Sequence, residues 1–288
     1  MIDEAILPSV REPGPDRWRR WWLAALVLAF VTAAGFSIGR GMKPREQVAA
    51  PSAYPSAPVL EATSLPRAAP PPSATPPPPI TNVAAGRLQM PGKVPTHGSG
   101  TFRYAMGRGP VLGAKGPLRR FRVAVEKESG EDAEAFAAQV QATLGDPRSW
   151  AGGGVVRLQM VAGADPADFT VFLATRDTAG EMCLRGGTNI RISGVPYTSC
   201  RATGRVIINL DRWRLSAKPY LYAKVPLAVY RQYVINHEVG HELGHRHEGC
   251  PRAGGPAPVM VQQTLAARGC VPNAWPRRGN RFLTGPTM

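Results

Sequence analysis

Four of the five histidines in this 288-residue chain lie within eleven residues, in the run HEVGHELGHRH at 237–247. His237 and His241 are four positions apart, so on a helix they lie on one face, one turn apart, where two imidazoles can reach the same metal ion. Glu238 stands beside the first of them, where its carboxylate can face a metal-bound water and take its proton. The run therefore predicts a helix that carries a zinc site.

Gly244 determines what happens after the second histidine. A glycine can adopt positive φ, end the helix and turn the chain back, so that His247 becomes the third ligand. The resulting pattern, HExxHxxGxxH, is much more specific than HExxH alone. Two alternatives remain open, His245 as the third ligand and Cys250 as an additional one, although three histidines and a water already complete a tetrahedral catalytic site.

Hydrophobic periodicity predicts one folded domain of α+β class over 99–288. The predicted strands lie at 121–125, 155–161, 169–174, 188–192 and 205–210, and the predicted helices at 131–144 and 226–243. The order β-α-β-β-β-β-α predicts a mixed, twisted sheet backed by two helices, the second of which carries HExxH. After Gly244 the chain is rich in glycine and proline, which predicts a C-terminal part made of loops.

An uncharged apolar run near the N-terminus, residues 21–39, predicts a membrane-spanning helix. Nineteen helical residues extend about 28 Å, close to the thickness of a hydrocarbon core. We therefore expect a cytoplasmic segment at 1–20, a single-pass anchor in the cell membrane at 21–39, and export of everything that follows. The alternative is a signal cleaved after the small residues Thr32–Ala34, which would make the protein secreted.

The tract from 40 to 98 contains fourteen of the thirty prolines. Proline blocks the hydrogen bonds of helices and sheets, and apolar residues are too sparse here to form a core. The composition predicts a disordered spacer with polyproline II character, which separates the folded domain from the membrane.

All four cysteines follow the apolar run, and an even number of cysteines in an exported domain indicates disulfides. Three pairings are possible. We favour Cys183–Cys200 and Cys250–Cys270, because partners close in sequence form loops of modest length. The second bridge would tie the chain after His247 to the far side of the loop that contains Met260.

The net charge of +15 raises the question of a nucleic-acid partner. Most of this charge lies beyond the apolar run, and the sequence carries no helix-turn-helix, zinc-finger or RNA-binding signature. We therefore predict no nucleic-acid binding. Anionic cell-wall polymers and lipid headgroups are the partners that such a charge would suit outside a cell. The alternative is an excess that reflects base composition and general solubility.

The motif formed by His237, Glu238, His241, Gly244 and His247 resembles that of the metzincin clan of zinc-dependent endopeptidases, and so does the order of predicted elements. More narrowly, the anchor, the spacer and the runs HEVGHELGHRHEGC, PVMVQQT, GC and NAWP resemble an uncharacterised bacterial family of membrane-anchored, exported metzincin-like proteins, over about 99–279.

This resemblance implies a zinc ion bound by the three histidines, with Glu238 as the general base. It also implies that Met260 forms the methionine turn beneath the metal. Some metzincins carry a tyrosine two residues after this methionine, which can help to stabilise the transition state. Gln262 occupies that position here, so the partner of the oxyanion stays unassigned. The predicted strand at 188–192 would correspond to the clan's edge strand, which pairs with extended peptide substrates.

We therefore expect an exported, membrane-anchored zinc metalloendopeptidase that hydrolyses a peptide or protein substrate through a zinc-bound water activated by Glu238. Two other functions fit the same sequence. One is a catalytically weak, zinc-stabilised module that binds anionic cell-wall material, and the other is a zinc amidase that acts on wall peptides.

Overall fold

A computed structural model of the chain describes residues 86–288. The predicted cytoplasmic segment at 1–20, the predicted anchor at 21–39 and most of the predicted spacer lie outside the described residues. Between residues 86 and 288, none of the helices has the length and apolar character needed to cross a membrane.

A mixed sheet of seven strands forms the centre of the described part, with the strand order β2-β4-β3-β5-β9-β8 and with β1 beside β3. The strands are β1 (Phe102–Tyr104), β2 (Val111–Leu112), β3 (Leu118–Glu126), β4 (Arg157–Met160), β5 (Phe169–Ala174), β8 (Cys200–Ala202) and β9 (Arg205–Asn209). Strands β4, β3, β5 and β9 are parallel, whereas β1, β2 and β8 run antiparallel to their neighbours. The strands predicted at 121–125, 155–161, 169–174 and 205–210 are confirmed.

Helices cover both faces of this sheet. They are α1 (Ala133–Gly145), α2 (Arg176–Arg185), α3 (Leu210–Leu215), α4 (Lys218–Tyr222) and α5 (Leu227–Glu242). The larger apolar core joins α1 and α5 to one face, and a smaller core joins α2 to the other. Every residue of β5 is buried, because a central strand covered on both sides has no solvent-facing side.

The prediction of a sheet backed by two helices is wrong, because α2 and the short helices α3 and α4 were missed. The buried residues of α2 include the small side chains Thr178 and Ala179, and also Gly180. Such a helix gives only a weak apolar periodicity in the sequence, and a glycine in its interior lowers helix propensity. The predicted class, α+β with a mixed sheet, is nevertheless compatible with the observed fold.

The strand predicted at 188–192 is shorter than expected and does not belong to the main sheet. Only Arg191–Ile192 (β6) is extended, and it pairs with Val195–Pro196 (β7) in a separate two-stranded hairpin. Ser193 and Gly194 both have positive φ, at 49° and 81°, as the tight turn of such a hairpin requires. The edge strand of the main sheet next to β9 is β8 instead.

Residues shortly before 99 pack against the folded domain. The amide of Leu227, at the start of α5, donates to the carbonyl of Arg87 at 2.7 Å. The side chains of Met90 and Val94 contact the larger apolar core. The packed part of the chain therefore begins ahead of residue 99.

The chain after α5 consists mainly of turns and loops, as predicted. Its regular strands are β10 (Arg277–Arg278) and β11 (Arg281–Phe282), which pair with each other. Both favoured disulfides form, Cys183–Cys200 and Cys250–Cys270. The first links the end of α2 to the edge strand β8, and the second closes the loop that follows His247.

Candidate metal centre

Helix α5 carries the first part of the histidine motif across the larger core. Pro226 precedes its first residue, where the absence of an N–H costs nothing. Tyr230, Val234 and the following turn are buried against the sheet and α1. The helix predicted at 226–243 is confirmed, and His237 and His241 lie one turn apart on it.

Helix α5 ends just before Gly244, as predicted from the glycine. Gly244 has a φ of 97°, and its amide donates to the carbonyl of His241 at 3.1 Å. The amide of His245 donates back to the carbonyl of Gly240 at 2.9 Å. This pair of bonds is the Schellman arrangement, which reverses the chain at a left-handed residue. The reversal returns His247 toward the helix.

The three histidines of the motif meet at one point. One side-chain nitrogen from each of His237, His241 and His247 lies within 4.8 Å of the other two, so that this group can hold a metal ion. The Nε2 atoms of His241 and His247 are 3.0 Å apart. The two alternative ligands, His245 and Cys250, are not part of this group. The ring of His245 stacks on Trp150 with centroids 4.2 Å apart, and Cys250 is part of a disulfide.

Backbone carbonyls orient two of these rings. Nδ1 of His237 lies 2.8 Å from the carbonyl oxygen of Val259, and Nδ1 of His241 lies 2.8 Å from that of His245. A ring that donates its Nδ1–H to a carbonyl keeps the lone pair on Nε2, which is the atom that then faces a metal. The surroundings of the histidines thus select the tautomer that binds metal.

Burial keeps the rings neutral. It lowers the pKa of His237 to about 3, with a further contribution from His241, and it lowers the pKa of His247 to about 4. The pKa of His241 is lowered for the same reason. Neutral imidazoles at physiological pH are ready to bind a metal without first losing a proton.

Glu238 lies beside this group and lines the same cleft. It is 5% exposed, and burial raises its pKa to about 8. Its carboxylate makes no hydrogen bond to another residue in 86–288, so it is free to act on a molecule in the cleft. A cation nearby would favour the ionised form, since opposite charge lowers a carboxyl pKa.

Met260 packs beneath the helix at the level of the histidines. A Cβ atom added to Gly240 would lie 2.6 Å from its Sδ and 2.7 Å from Cζ2 of Trp150, so only glycine allows this close approach. The residue before Met260 is Val259, whose carbonyl accepts from His237. The Met260 loop therefore touches both the helix and the first histidine.

Buried polar side chains hold this loop in place. Gln263 is fully buried, accepts a hydrogen bond from the Tyr220 hydroxyl, and donates to the carbonyls of Pro258 and Asn273. The hydroxyl of Tyr233 donates to the carbonyl of Val261. Sequence reasoning missed these supports, and Trp150 as well, because partners so distant along the chain leave no periodic signal.

The cleft above the histidines has a volume of about 640 Å³. Its lining includes strand β6, the edge strand β8, and Gln262 and Leu265 from the loop after Met260. The edge strand β8 and the three histidines therefore line the same cleft.

None of the curated proteins and none of the solved structures matches the chain. Residues 88–273 match a family described as "Protein of unknown function (DUF3152)". The match includes the whole seven-stranded sheet, the whole of α5, the three histidines and Met260, and it covers well over half of the sequence. The chain therefore belongs to the DUF3152 family.

Proposed function

We propose that the protein is a zinc-dependent metalloendopeptidase with a metzincin-like fold. The convergence of three neutral histidine side chains beside Glu238, in an open cleft, carries this proposal. Three imidazoles form a donor set that suits zinc. Nitrogens bound to one tetrahedral zinc at about 2.1 Å lie about 3.4 Å apart, so separations of at most 4.8 Å need only small ring rotations.

The arrangement of secondary structure supports the metzincin-like part of the proposal. The order expected from the resemblance has counterparts in β3, α1, β4, β5, β8, β9 and α5. The additions to that order are strands β1 and β2, helices α2, α3 and α4, and the hairpin β6–β7. The packing of Met260 against Gly240, next to His241, supports its assignment as the methionine turn.

Glu238 would perform the proton transfers of the reaction. A bound zinc ion would act as a Lewis acid that polarises the peptide carbonyl and makes water easier to deprotonate. Glu238 would take a proton from the attacking water as a new C–O bond forms. It would then deliver that proton to the amide nitrogen as the C–N bond breaks, which leaves a carboxylic acid and an amine.

The edge strand β8 offers a way to hold an extended peptide. Among residues 86–288, β8 pairs with β9 on one side, and no strand of the sheet lies on its other side. Cys200 and Arg201 of this strand line the cleft. A substrate added as a further strand would gain backbone hydrogen bonds that do not depend on its sequence.

We also propose that the domain works outside the cytoplasm, on a membrane anchor or as a secreted protein. Two disulfides with no free cysteine remaining in residues 86–288 suit an oxidising compartment. An accessible substrate there would be an extracytoplasmic peptide or protein.

Digestion of a peptide library by the full chain tests the proposed activity. Wild-type protein should cleave peptides, and a chelator should stop it. Glu238→Ala should keep its zinc and lose about a thousandfold in rate, because it lacks the general base. Glu181→Ala, which changes an exposed carboxylate outside the cleft, is the matched control and should cleave normally.

Full activity in Glu238→Ala would refute the mechanism. A parallel digest of purified peptidoglycan separates the amidase alternative. Release of wall peptides together with failure on every library peptide would favour the amidase over the endopeptidase.

A further inference from the structure

Positive charge dominates the side chains that line the cleft. Arg191 comes from β6, Arg201 from β8, and Arg246 from the chain between the helix end and His247. Glu238 is the single acidic side chain among the lining residues. With Glu242, the ion-pair partner of Arg201, counted as well, three arginines face two acidic side chains, so the side chains give the cleft an excess of positive charge even before a metal is bound.

Arg201 is held in a fixed orientation. Its Nε donates to Oε2 of Glu242 at 2.8 Å, and Glu242 is only 8% exposed. The same carboxylate oxygen accepts from the amide of Gly204 at 3.2 Å, which anchors it to the sheet edge. Within residues 86–288 the two terminal nitrogens of Arg201 have no hydrogen-bond partner. A buried acid thus positions this guanidinium and leaves its outer donors for another molecule.

The other two arginines are not neutralised by neighbours. Within the described part of the chain, no acidic side chain forms an ion pair with Arg191 or Arg246. A cleft lined by charge of one sign concentrates its field and raises the local concentration of the opposite charge. Such an arrangement favours anionic molecules over neutral ones of the same shape.

We propose that the cleft selects peptides that carry a carboxylate close to the bond to be cleaved, with Arg201 as its principal anchor. This inference names the substrate class of the same site and so rests on the proposed function. The planar guanidinium suits a carboxylate better than it suits any neutral group. Two sources supply that chemistry, an acidic side chain and the carboxyl terminus of a peptide.

Peptide binding measured by fluorescence anisotropy tests the inference without requiring turnover. The full-length Glu238→Ala variant is used, so that no peptide is consumed and the result stands whether or not the wild type is a peptidase. The probes are blocked hexapeptides with an uncharged fluorophore. One pair differs by a central glutamate against glutamine, and a second, all-alanine pair by a free carboxyl terminus against its amide.

We expect the carboxylate member of at least one pair to bind about tenfold more tightly, as a hydrogen-bonded charge should. Which pair shows the preference identifies the source. Adding Arg201→Gln should remove most of the preference for the carboxylate peptide, and high salt should weaken that preference. Arg205→Gln makes the same change in charge on the neighbouring strand, outside the cleft, and should leave the preference intact.

Equal binding of charged and neutral members in both pairs would overturn the inference. So would a preference that Arg205→Gln reduces as much as Arg201→Gln does. Failure of the proposed function looks different, because it appears as an absence of cleavage by the wild type whatever the binding preference.

Discussion

Two regions of the molecule meet at the metal centre and are built in different ways. The helix-and-sheet region, residues 102–243, is held by strand ladders and two apolar cores. The C-terminal region, residues 244–288, contains only the short strands β10 and β11 and two isolated bridges. Since backbone groups buried in a protein need hydrogen-bond partners, the second region must obtain them by other means.

Particular side chains supply those partners. Nδ2 of Asn273 donates to the carbonyls of Ala257 and Trp275, each at 2.9 Å. Asn236, on helix α5, donates to the carbonyl of Ala274 at 3.0 Å. The disulfide Cys250–Cys270 adds a covalent link. The C-terminal region is thus held by single residues rather than by a repeating pattern of hydrogen bonds.

The centre needs both regions. The helix provides His237, Glu238 and His241, whereas the C-terminal region provides His247 and the Val259 carbonyl that orients His237. A change in either region should therefore affect the centre. Three matched pairs of substitutions separate the contributions of a ligand, of a buried support and of the turn at Gly244.

The largest effect should come from removing a ligand. His241→Ala deletes one of the three ligand nitrogens, and we expect zinc affinity to fall by more than about a hundredfold. This loss exceeds the cost of removing a group that only hydrogen-bonds to a ligand. Metal content after dialysis against a zinc buffer measures it. His245→Ala is the control, since it keeps the backbone carbonyl that accepts from His241 and should retain one zinc. Loss of zinc in His245→Ala alone would reassign the third ligand.

An intermediate effect should follow from removing a support of the C-terminal region. Gln263→Ala leaves buried partners such as the Tyr220 hydroxyl and the Pro258 carbonyl unsatisfied, and should lower the free energy of unfolding by about 3 kcal/mol. Gln262→Ala, at the neighbouring cleft-lining position, should change it by less than about 0.5 kcal/mol. Urea unfolding with excess chelator measures both without a contribution from metal. Equal effects would show that the buried network does not hold the region.

The smallest effect concerns the glycine at the junction. Gly244→Ala and Gly187→Ala both place a Cβ at positive φ with open space around it, so each should cost about 1 kcal/mol of stability. Only Gly244→Ala should also weaken zinc binding, because its turn positions His247. Thermal unfolding and a zinc titration of both variants measure the two quantities. Equal zinc affinities would show that the turn is not needed to place the ligand.

The difference between the regions also explains what the sequence could predict. Alternation and apolar runs gave β3, β5, β9 and helix α5, because repeating patterns reflect burial on one or both faces. The histidine spacing, together with Gly244, predicted which side chains meet. Those features are local in the sequence, and they would be the same in any fold that buries the same faces of these strands and helices.

What could not be predicted depends on contacts between distant residues. Helix α2 buries small side chains that leave little periodicity, and the hairpin β6–β7 replaced a single expected strand. The pairing of Trp150 with Gly240 and the position of Arg201 relative to Glu242 join residues far apart in sequence. Such contacts follow from the complete fold and not from any one segment.

Anomalous scattering at the zinc absorption edge, from crystals of the protein purified with zinc, tests the central claim most directly. We predict one strong peak bonded to His237, His241 and His247 at about 2.0–2.1 Å, on the side of the cleft that Glu238 faces. A folded protein with no peak at these histidines, or with the metal held by a different set of side chains, would contradict the claim.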